Sequence, residues 1–290
     1  MSFVSEDVGV IVQGITGRMG RLHAQLMRRY GTRVLAGVSP SAQAAEIDGL
    51  PLYATCAEAV GATGARASVI MAPPLAVLPA MRDAIAAGIE LVVSIAEGMP
   101  VADAVMARNE ARAKGVRWVG ASTPGLAIPG RLKLGFLPDV SLAPGPLGVV
   151  AKSGTLSYEI CKRLVQRGFG QSLWVGVGGD AVKGTRFADL VPHFASDPGT
   201  RALVVIGEIG GSEEEELASA LTAQRFDKPV YALIAGKAAR EGVTMGHAGA
   251  LVFGGVGTIE SKVDALTLAG ARVFTRIQDL VDAVATAPAI

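Results

Sequence analysis

The chain has 290 residues, of which 50% are hydrophobic and 18% are charged, with 37 glycines and a formal net charge of +1. A chain of this length and apolar content can bury the cores of two ordinary domains, which excludes an intrinsically disordered protein. The nearly balanced charge gives no electrostatic reason to expect a nucleic acid or an anionic membrane as a partner.

The cysteines and the first residues indicate the compartment. Cys56 and Cys161 are two thiols far apart in the sequence, so neither a disulfide framework nor a metal site is predicted. Glu6 and Asp7 stand where a signal peptide carries positive charge, and glycine or proline interrupts the apolar runs before they reach membrane-spanning length. We therefore expect a cytoplasmic protein.

The first half of the chain alternates short apolar runs with helical patterns. The runs predicted to be strands are VGVIVQ (8–13), RVLAGV (33–38), ASVIMA (67–72), ELVVSI (90–95) and VRWVG (116–120). Their continuous apolarity is typical of strands in a parallel sheet that helices cover on both faces. The segments 76–88 and 102–115 have helical spacing and end in glycine, a common helix stop.

The rhythm breaks at residues 121–146, which hold five prolines and no clear period. This segment is predicted to be an extended connection. A second strand–helix series follows, with predicted strands LGVVAK (147–152), LWVGVG (173–178), ALVVIG (202–207), PVYALIA (229–235) and ARVF (271–274). The pattern predicts two α/β domains.

A glycine loop follows the first predicted strand. VIVQGITGRMGR places Gly14, Gly17 and Gly20 between this strand and the start of a helix, where backbone N–H groups favour a phosphate. The same glycines could serve only a tight turn. GRMGR also resembles nicotinamide-dependent reductases, but no acidic residue follows the second strand until Glu46, so a dinucleotide is poorly supported.

Further glycine-rich loops follow the strands of the second series, where ligands gather in open parallel sheets. They are SGTLSYE (153–159), GGD (178–180), GEIGGS (207–212) and GHAGA (246–250). Ser153, Gly154 and Thr155 stand at a predicted helix N-terminus, which suits a phosphate group. The segment is not a P-loop, because Lys152 precedes the glycine.

Glu208 and His247 are the candidate catalytic residues of this half. Glu208 is either a buried acid satisfied by backbone N–H groups or a carboxylate that orients a histidine and leaves its other ring nitrogen free to attack. His247 lies between small residues in TMGHAGA. Of the other histidines, His23 is expected to face solvent on the first helix, and His193 is expected near a helix end.

The motifs GITG, IAEGMP, KSGTLSYE, GFGQSLWVGVGGD, IGEIGGS and MGHAGA together resemble the α subunit of succinate–CoA ligase and related NDP-forming acyl-CoA synthetases. The resemblance runs nearly end to end. It implies a Rossmann-like CoA-binding domain over 1–125, a connecting segment over 126–146, and a flavodoxin-like ligase domain over 147–290 that carries a phosphohistidine loop.

The resemblance also implies roles for individual residues. His247 would be phosphorylated transiently, Glu208 would hold its other ring nitrogen, and the helix that starts at Thr155 would point at the phosphate. Tyr158 matches a tyrosine near the active site and the subunit interface. The positions that match CoA contacts are Thr16, Gly17, Arg18, Met19, Ile95, Ala96 and Glu97.

The partner implied by the resemblance is an ATP-grasp β subunit, in an αβ or α2β2 assembly, that binds most of ATP or GTP with Mg. The small molecules implied are CoA and a small carboxylic acid. The reaction would form acyl-CoA through a phosphohistidine and an acyl phosphate.

Two motifs depart from the family pattern. Ala42 in SPSAQA replaces a lysine that in the family contacts a CoA phosphate, and Arg18 is the residue available to compensate. Ser122 and Thr123 replace Asn and Cys in the loop before Pro124, near the expected acyl group. Two hydroxyls there favour malate or a sulfonated short acid such as sulfoacetate as alternatives to succinate. A nicotinamide-dependent reductase and a non-catalytic CoA-binding regulator remain the alternatives from other classes.

Overall fold

The computed structural model describes residues 3–41, 44–236 and 257–287. The chain forms two compact units. The N-terminal unit contains Val4–Leu137 and Val182–Thr185. The C-terminal unit contains Phe3, Pro138–Ala181 and, among the described residues, 186–236 and 257–287. The chain thus passes from one unit to the other after Leu137, and four residues near 183 return to the N-terminal unit.

The N-terminal unit consists of a sheet, helices along the strands of that sheet, and an additional two-stranded hairpin. Its strands are β1 (Val10–Gln13), β2 (Val34–Val38), β3 (Glu46–Ile47), β4 (Leu50–Tyr53), β5 (Ala67–Ile70), β6 (Leu91–Ser94), β7 (Arg117–Gly120), β8 (Gly125–Ile128) and β9 (Leu132–Gly135). Its helices are α1 (Arg18–Tyr30), α2 (Cys56–Thr63), α3 (Val77–Ala86) and α4 (Val101–Ala113). The predicted strands of this half are confirmed.

The strand order of this sheet is β3-β4-β2-β1-β5-β6-β7. Apart from the antiparallel pair β3–β4, all of these pairings are parallel. The chain builds outward from β1 to one side and then from β5 to the other, which is the Rossmann arrangement predicted from the sequence. The order therefore reverses between β1 and β5, and a crevice is expected at the carboxyl ends of these two strands.

The core of this unit explains why the strand runs are apolar throughout. Helices cover the sheet, and a cluster of buried side chains that includes Ile11, Met81 and Trp118 fills the space between them. Local signals fix the helix ends. Thr55 and Glu58 form a capping box at the start of α2, and Gly31 ends α1 in the left-handed region with φ of 109°.

The segment predicted to lack regular structure contains β8 and β9, which form an antiparallel hairpin. The hairpin packs against α1, where the Thr32 hydroxyl donates to the Lys133 carbonyl at 2.8 Å. Each strand has only four residues and lies among prolines, so no periodic pattern marks it in the sequence. The hairpin is a feature that the sequence analysis missed.

The C-terminal unit has the strands β10 (Pro144–Ala151), β11 (Gln171–Gly176), β12 (Ala202–Glu208), β13 (Val230–Ala235) and β14 (Arg272–Phe274). Its helices are α5 (Gly154–Gln166), α6 (Phe187–Ser196), α7 (Glu213–Ala223), α8 (Ile259–Leu268) and α9 (Ile277–Ala285). Within the unit the strands pair in the order β14-β13-β12-β10-β11, all parallel. This is the predicted flavodoxin-like order, and it reverses between β10 and β12.

None of the described helices combines the length and the apolarity that crossing a bilayer requires.

Candidate active site

A cavity of about 400 Å³ opens in the N-terminal unit. The residues that line it come mainly from the loops after β1, β5 and β6 and from the first turns of α1. Since β1 and β5 are the strands between which the order reverses, the cavity lies where the topology of the sheet leads one to expect a ligand.

Five of the predicted CoA contacts line this cavity: Gly17, Arg18, Met19, Ile95 and Ala96. They come from two loops far apart in the sequence, so the fold brings together the two strips that the motifs singled out. The other two predicted contacts, Thr16 and Glu97, are exposed, and each is the chain neighbour of a lining residue. The Thr16 hydroxyl lies 3.3 Å from that of Ser39, at the end of β2. Ala42 lies outside the described residues.

Helix α1 begins at the cavity because of a close backbone approach. A Cβ atom on Gly20 would lie 2.2 Å from the carbonyl oxygen of Gly14, so only glycine allows the first turn of α1 to pack on the loop after β1. The N-cap residue is Gly17, which has no side chain to cap the first N–H groups of the helix. These N–H groups and the helix dipole favour an anion at this end of the cavity.

The cavity also contains residues that the sequence analysis missed. Met71, Ala72 and Pro73 line it after β5, and Phe136 lines it after β9. The three residues after β5 could have been found, because that strand ends beside β1 in any Rossmann order. Phe136 could not, because its hairpin was not predicted.

His23 was expected to face solvent, and the structure corrects this expectation. It is half-buried on α1 and lines the cavity, with its ring centroid 5.5 Å from that of Phe136. Burial lowers the pKa of its imidazole, and the positive charge of Lys133 lowers it further. Nδ1 is buried and has no hydrogen-bond partner among the described residues. The imidazole is therefore mostly neutral at pH 7, so it adds no positive charge to the lining of the cavity.

The loop predicted to lie near the acyl group is tied to the cavity lining. Ser122 adopts a left-handed φ of 56°, and its N–H donates to the carbonyl of Ala96 at 2.9 Å. The carbonyl of Pro124 accepts from the N–H of Phe136 at 3.0 Å. Thr123 is buried, and its hydroxyl oxygen accepts from the N–H of Gly125 at 2.9 Å. Of the two hydroxyls, that of the half-buried Ser122 is therefore the better placed to meet a ligand.

The predicted phosphate site lies where α5 begins in the C-terminal unit. Ser153 is the N-cap, and its hydroxyl accepts from the N–H of Leu156 at 3.3 Å. Gly154 and Thr155 form the first turn, and no acidic residue stands there to compete for an anion. The arrangement suits a phosphate group.

Glu208 is the last residue of β12 and is 7% exposed. Its N–H donates to the carboxylate of Glu214 at 3.1 Å. Ala151 on β10 pairs with Ile206 on β12. Ser153 lies two residues after Ala151, and Glu208 lies two residues after Ile206, so the two residues stand at the same level of the sheet. The two predicted parts of the phosphoryl site are thus brought to neighbouring strand ends, at the reversal of the strand order.

The structure describes two of the three remaining residues for which a position or role was predicted, Tyr158 and His193, and not the third, His247. The ring of Tyr158 on α5 meets that of Trp174 edge-on at 5.8 Å, and burial raises the pKa of its hydroxyl to about 12. The hydroxyl is buried without a hydrogen-bond partner in the described part of the chain. His193 lies in the last turn of α6, as predicted, and accepts from the N–H of Phe3 at 3.2 Å. His247 lies outside the described residues.

Comparisons with known proteins match the two units. The model of the CoA binding domain family matches residues 5–98, and the CoA-ligase family model matches residues 150–272. The succinate–CoA ligase [ADP-forming] α subunit of Aquifex aeolicus is 45% identical over 93% of this chain and 89% of that protein. The ADP-forming sulfoacetate-CoA ligase subunit SauD of Bilophila wadsworthia is 40% identical over 94% of each chain.

A solved structure agrees in fold. ATP citrate lyase from Methanothrix soehngenii, in complex with citrate and coenzyme A, matches 98% of this chain with a TM-score of 0.87 and 25% identity. This chain spans half of the length of that protein. The family models, the identities and the fold agree with one another. The chain belongs to the family of succinate–CoA ligase α subunits, which are acid–thiol ligases that use CoA as a substrate and release a nucleoside diphosphate.

Proposed function

We propose that this chain, with a nucleotide-binding partner subunit, converts a small carboxylic acid, CoA and ATP or GTP into acyl-CoA, nucleoside diphosphate and phosphate through a phosphohistidine at His247. The observation that carries the proposal is the cavity of the N-terminal unit, which gathers five of the predicted CoA contacts at the reversal of the strand order. Neither the reductase nor the regulator accounts for the ligase motifs of the C-terminal unit.

The first step is phosphorylation of the histidine. Glu208 accepts a hydrogen bond from one ring nitrogen of His247 and so fixes the tautomer that leaves the other nitrogen unprotonated. This nitrogen attacks the γ-phosphorus, an N–P bond forms, and the bond to the bridging oxygen breaks as the diphosphate leaves. The N-terminus of α5, from Ser153 to Thr155, stabilises the negative charge of the phosphoryl group.

Two transfers complete the reaction. A carboxylate oxygen of the acid attacks phosphorus, the N–P bond breaks, and an acyl phosphate forms. The CoA thiolate then attacks the acyl carbon, and inorganic phosphate leaves. Dividing the reaction into these transfers replaces one difficult step by easier ones. The protein mainly positions the reactants and stabilises charge.

The N-terminal unit holds CoA. The N-terminal N–H groups of α1 and the exposed Arg18 supply positive potential for its phosphates, and this potential is the more important because Ala42 stands at the family's lysine position. The apolar surfaces of Met71, Pro73 and Phe136 suit the less polar parts of CoA.

The acid is the third reactant. The similar proteins of Aquifex aeolicus and Archaeoglobus fulgidus are named for succinate, and that of Bilophila wadsworthia is named for sulfoacetate. Ser122 supports a substrate with an additional polar group, because its half-buried hydroxyl can donate as well as accept. A buried hydrogen bond made only to the right acid discriminates strongly, since the wrong acid leaves polar groups unpaired. We therefore propose that malate or sulfoacetate is used at least as well as succinate.

The partner is an ATP-grasp β subunit that binds the nucleotide and Mg, and the assembly is an αβ dimer or an α2β2 tetramer. The enzyme works in the cytoplasm. Both cysteines are free and buried, which agrees with a reducing compartment.

Coexpression with a β subunit tests the proposal. The purified complex should form acyl-CoA and nucleoside diphosphate in equal amounts with at least one of succinate, malate and sulfoacetate, and the chain alone should be inactive. The control is the same complex without the acid, which should form no acyl-CoA. Full turnover by the chain alone, or no acyl-CoA from the complex with any of the three acids, would contradict the proposal.

A further inference from the structure

A buried cluster of charged side chains lies beneath the loop that carries Glu208. We call it the ion cluster, and it consists of Lys152, Glu213, Glu214, Glu215 and Lys262. The side chains of Glu214 and Lys262 are fully buried, and those of Lys152 and Glu213 are almost so. Burying charges costs free energy that mutual attraction repays only when the geometry is good.

Glu214 stands at the centre of the ion cluster, between the two lysines. The Lys152 Nζ lies 2.8 Å from one oxygen of its carboxylate and 3.0 Å from the other. The Lys262 Nζ also donates to the Glu214 carboxylate, and it lies 3.0 Å from Glu215. Each ammonium therefore has a direct carboxylate partner.

Lys152 and Glu214 keep their charges at neutral pH. Burial acts to lower the pKa of Lys152, but the negative charges of Glu214, Glu213 and Glu208 outweigh burial and raise it. Burial likewise acts to raise the pKa of Glu214, but the two lysines outweigh it and hold that pKa below its usual value. The negative charge of Glu208, at the neighbouring strand end, is thus among the charges that raise the pKa of Lys152.

The ion cluster holds the backbone of the loop 207–212 at two points. One Glu214 oxygen accepts from the N–H of Glu208 at 3.1 Å. A Cβ atom on Gly207 would lie 2.6 Å from the same oxygen, so glycine is what lets the carboxylate approach. The Lys262 Nζ donates to the carbonyl of Gly211 at 3.0 Å. The last residue of β12 and the far end of its loop are therefore fixed by one set of charges.

Stability alone is a poor explanation for this arrangement. Well-packed hydrophobic residues often stabilise a fold as well as a buried ion pair does, or better. What such residues cannot supply is a hydrogen-bond acceptor for the Glu208 N–H and a lysine ammonium that holds this acceptor in place. Both features act on the residue to which the proposed reaction assigns the orientation of His247.

We propose that the ion cluster is a positioning device for Glu208 in phosphoryl transfer, in which Glu214 fixes the backbone N–H of Glu208 while Lys152 and Lys262 hold the Glu214 carboxylate in place. The inference rests on the proposed function of Glu208 and His247. None of the cluster residues touches the reacting atoms in this account, so each acts through Glu208.

Single substitutions in the complete complex give the first test. The rate of His247 labelling by γ-labelled ATP should fall roughly 10- to 100-fold in Glu214→Gln and in Lys152→Met, a range known for outer residues that orient metal ligands. Lys152→Arg should recover most of the loss, because it keeps the charge. The matched control is Asp282→Asn, which breaks the exposed ion pair with Arg167 and should label at the rate of the wild type.

The ATP dependence separates positioning from general damage. The maximal labelling rate should fall while the KM for ATP stays within about twofold, because the partner subunit binds the nucleotide. Thermal unfolding identifies variants that do not fold. If Glu214→Gln is lost in this way, the pair Lys152→Met and Lys152→Arg carries the test.

A double-mutant cycle supplies the decisive result. In a Glu208→Gln background, Lys152→Met should cost almost nothing further, since the two residues act as one unit. The same further loss in both backgrounds would overturn the inference, as would wild-type rates in folded Glu214→Gln and Lys152→Met. Wild-type complex that never labels His247 would instead reject the proposed function, and the inference with it.

Discussion

Replacing Gly20 by alanine tests the proposed CoA site with a single methyl group. The new Cβ would stand 2.2 Å from the Gly14 carbonyl oxygen, 2.9 Å from the carbonyl carbon and 3.0 Å from the Cα of Ile15. All three atoms belong to the backbone, so no side chain can rotate away. Helix α1 must therefore move from the loop after β1 by about 1 Å to restore a normal separation.

This shift disturbs the cavity that Gly17, Arg18 and Met19 line from the first turn of α1 and the residue before it. Overpacking of this kind costs about 1–3 kcal/mol. If most of that cost falls on the CoA-bound state, the Kd for CoA should rise roughly 5- to 100-fold, since 1.4 kcal/mol corresponds to a factor of ten. The remainder should appear as a lower Tm.

Isothermal titration of CoA and thermal unfolding measure both effects. Gly61→Ala is the matched control, because Gly61 lies in α2 with open space where its Cβ would be. Alanine is the better helix former, so this control should bind CoA normally and unfold at the same or a slightly higher temperature. If Gly20→Ala binds CoA as tightly as Gly61→Ala, the start of α1 does not form the CoA site.

Three other predictions concern the chemistry. His247→Asn should abolish ligation but leave the Kd for CoA nearly unchanged in a titration, because the two tasks belong to different units; a folded variant that loses both equally would contradict this. Glu208→Gln should slow the labelling of His247 by about 10- to 1000-fold in quench-flow experiments, the range for a positioned catalytic group, and an unchanged rate would remove it from the mechanism. Restoring Asn at Ser122 and Cys at Thr123 should raise kcat/KM for succinate relative to malate and sulfoacetate; if succinate is already clearly the best substrate, these residues do not set the specificity.

The alternation of apolar runs was enough to predict both α/β units, because strands buried on both faces of a parallel sheet carry a strong and continuous signal. The same signal placed the loops of Gly17 and Ile95 at strand ends. Their meeting in one cavity depends on the strand order, which follows from the Rossmann resemblance and not from the runs themselves.

The features that the sequence did not reveal depend on contacts between distant residues. Phe136 reaches the cavity through a hairpin of two four-residue strands, and His23 is covered by that phenylalanine. Lys152 is the clearest case. In the sequence it only shows that the segment is not a P-loop, because it precedes the glycine. Folding places its charge against Glu214, 62 residues further along the chain.

The most direct test of the central claim is a pulse-chase measurement on the complex of this chain with its β subunit. A pulse of γ-labelled ATP should put acid-labile phosphate on His247. A chase with unlabelled ATP, CoA and the preferred acid should release that label as inorganic phosphate at least as fast as acyl-CoA accumulates in steady turnover. Acyl-CoA formation without label on His247, or label that leaves more slowly than the enzyme turns over, would contradict the account.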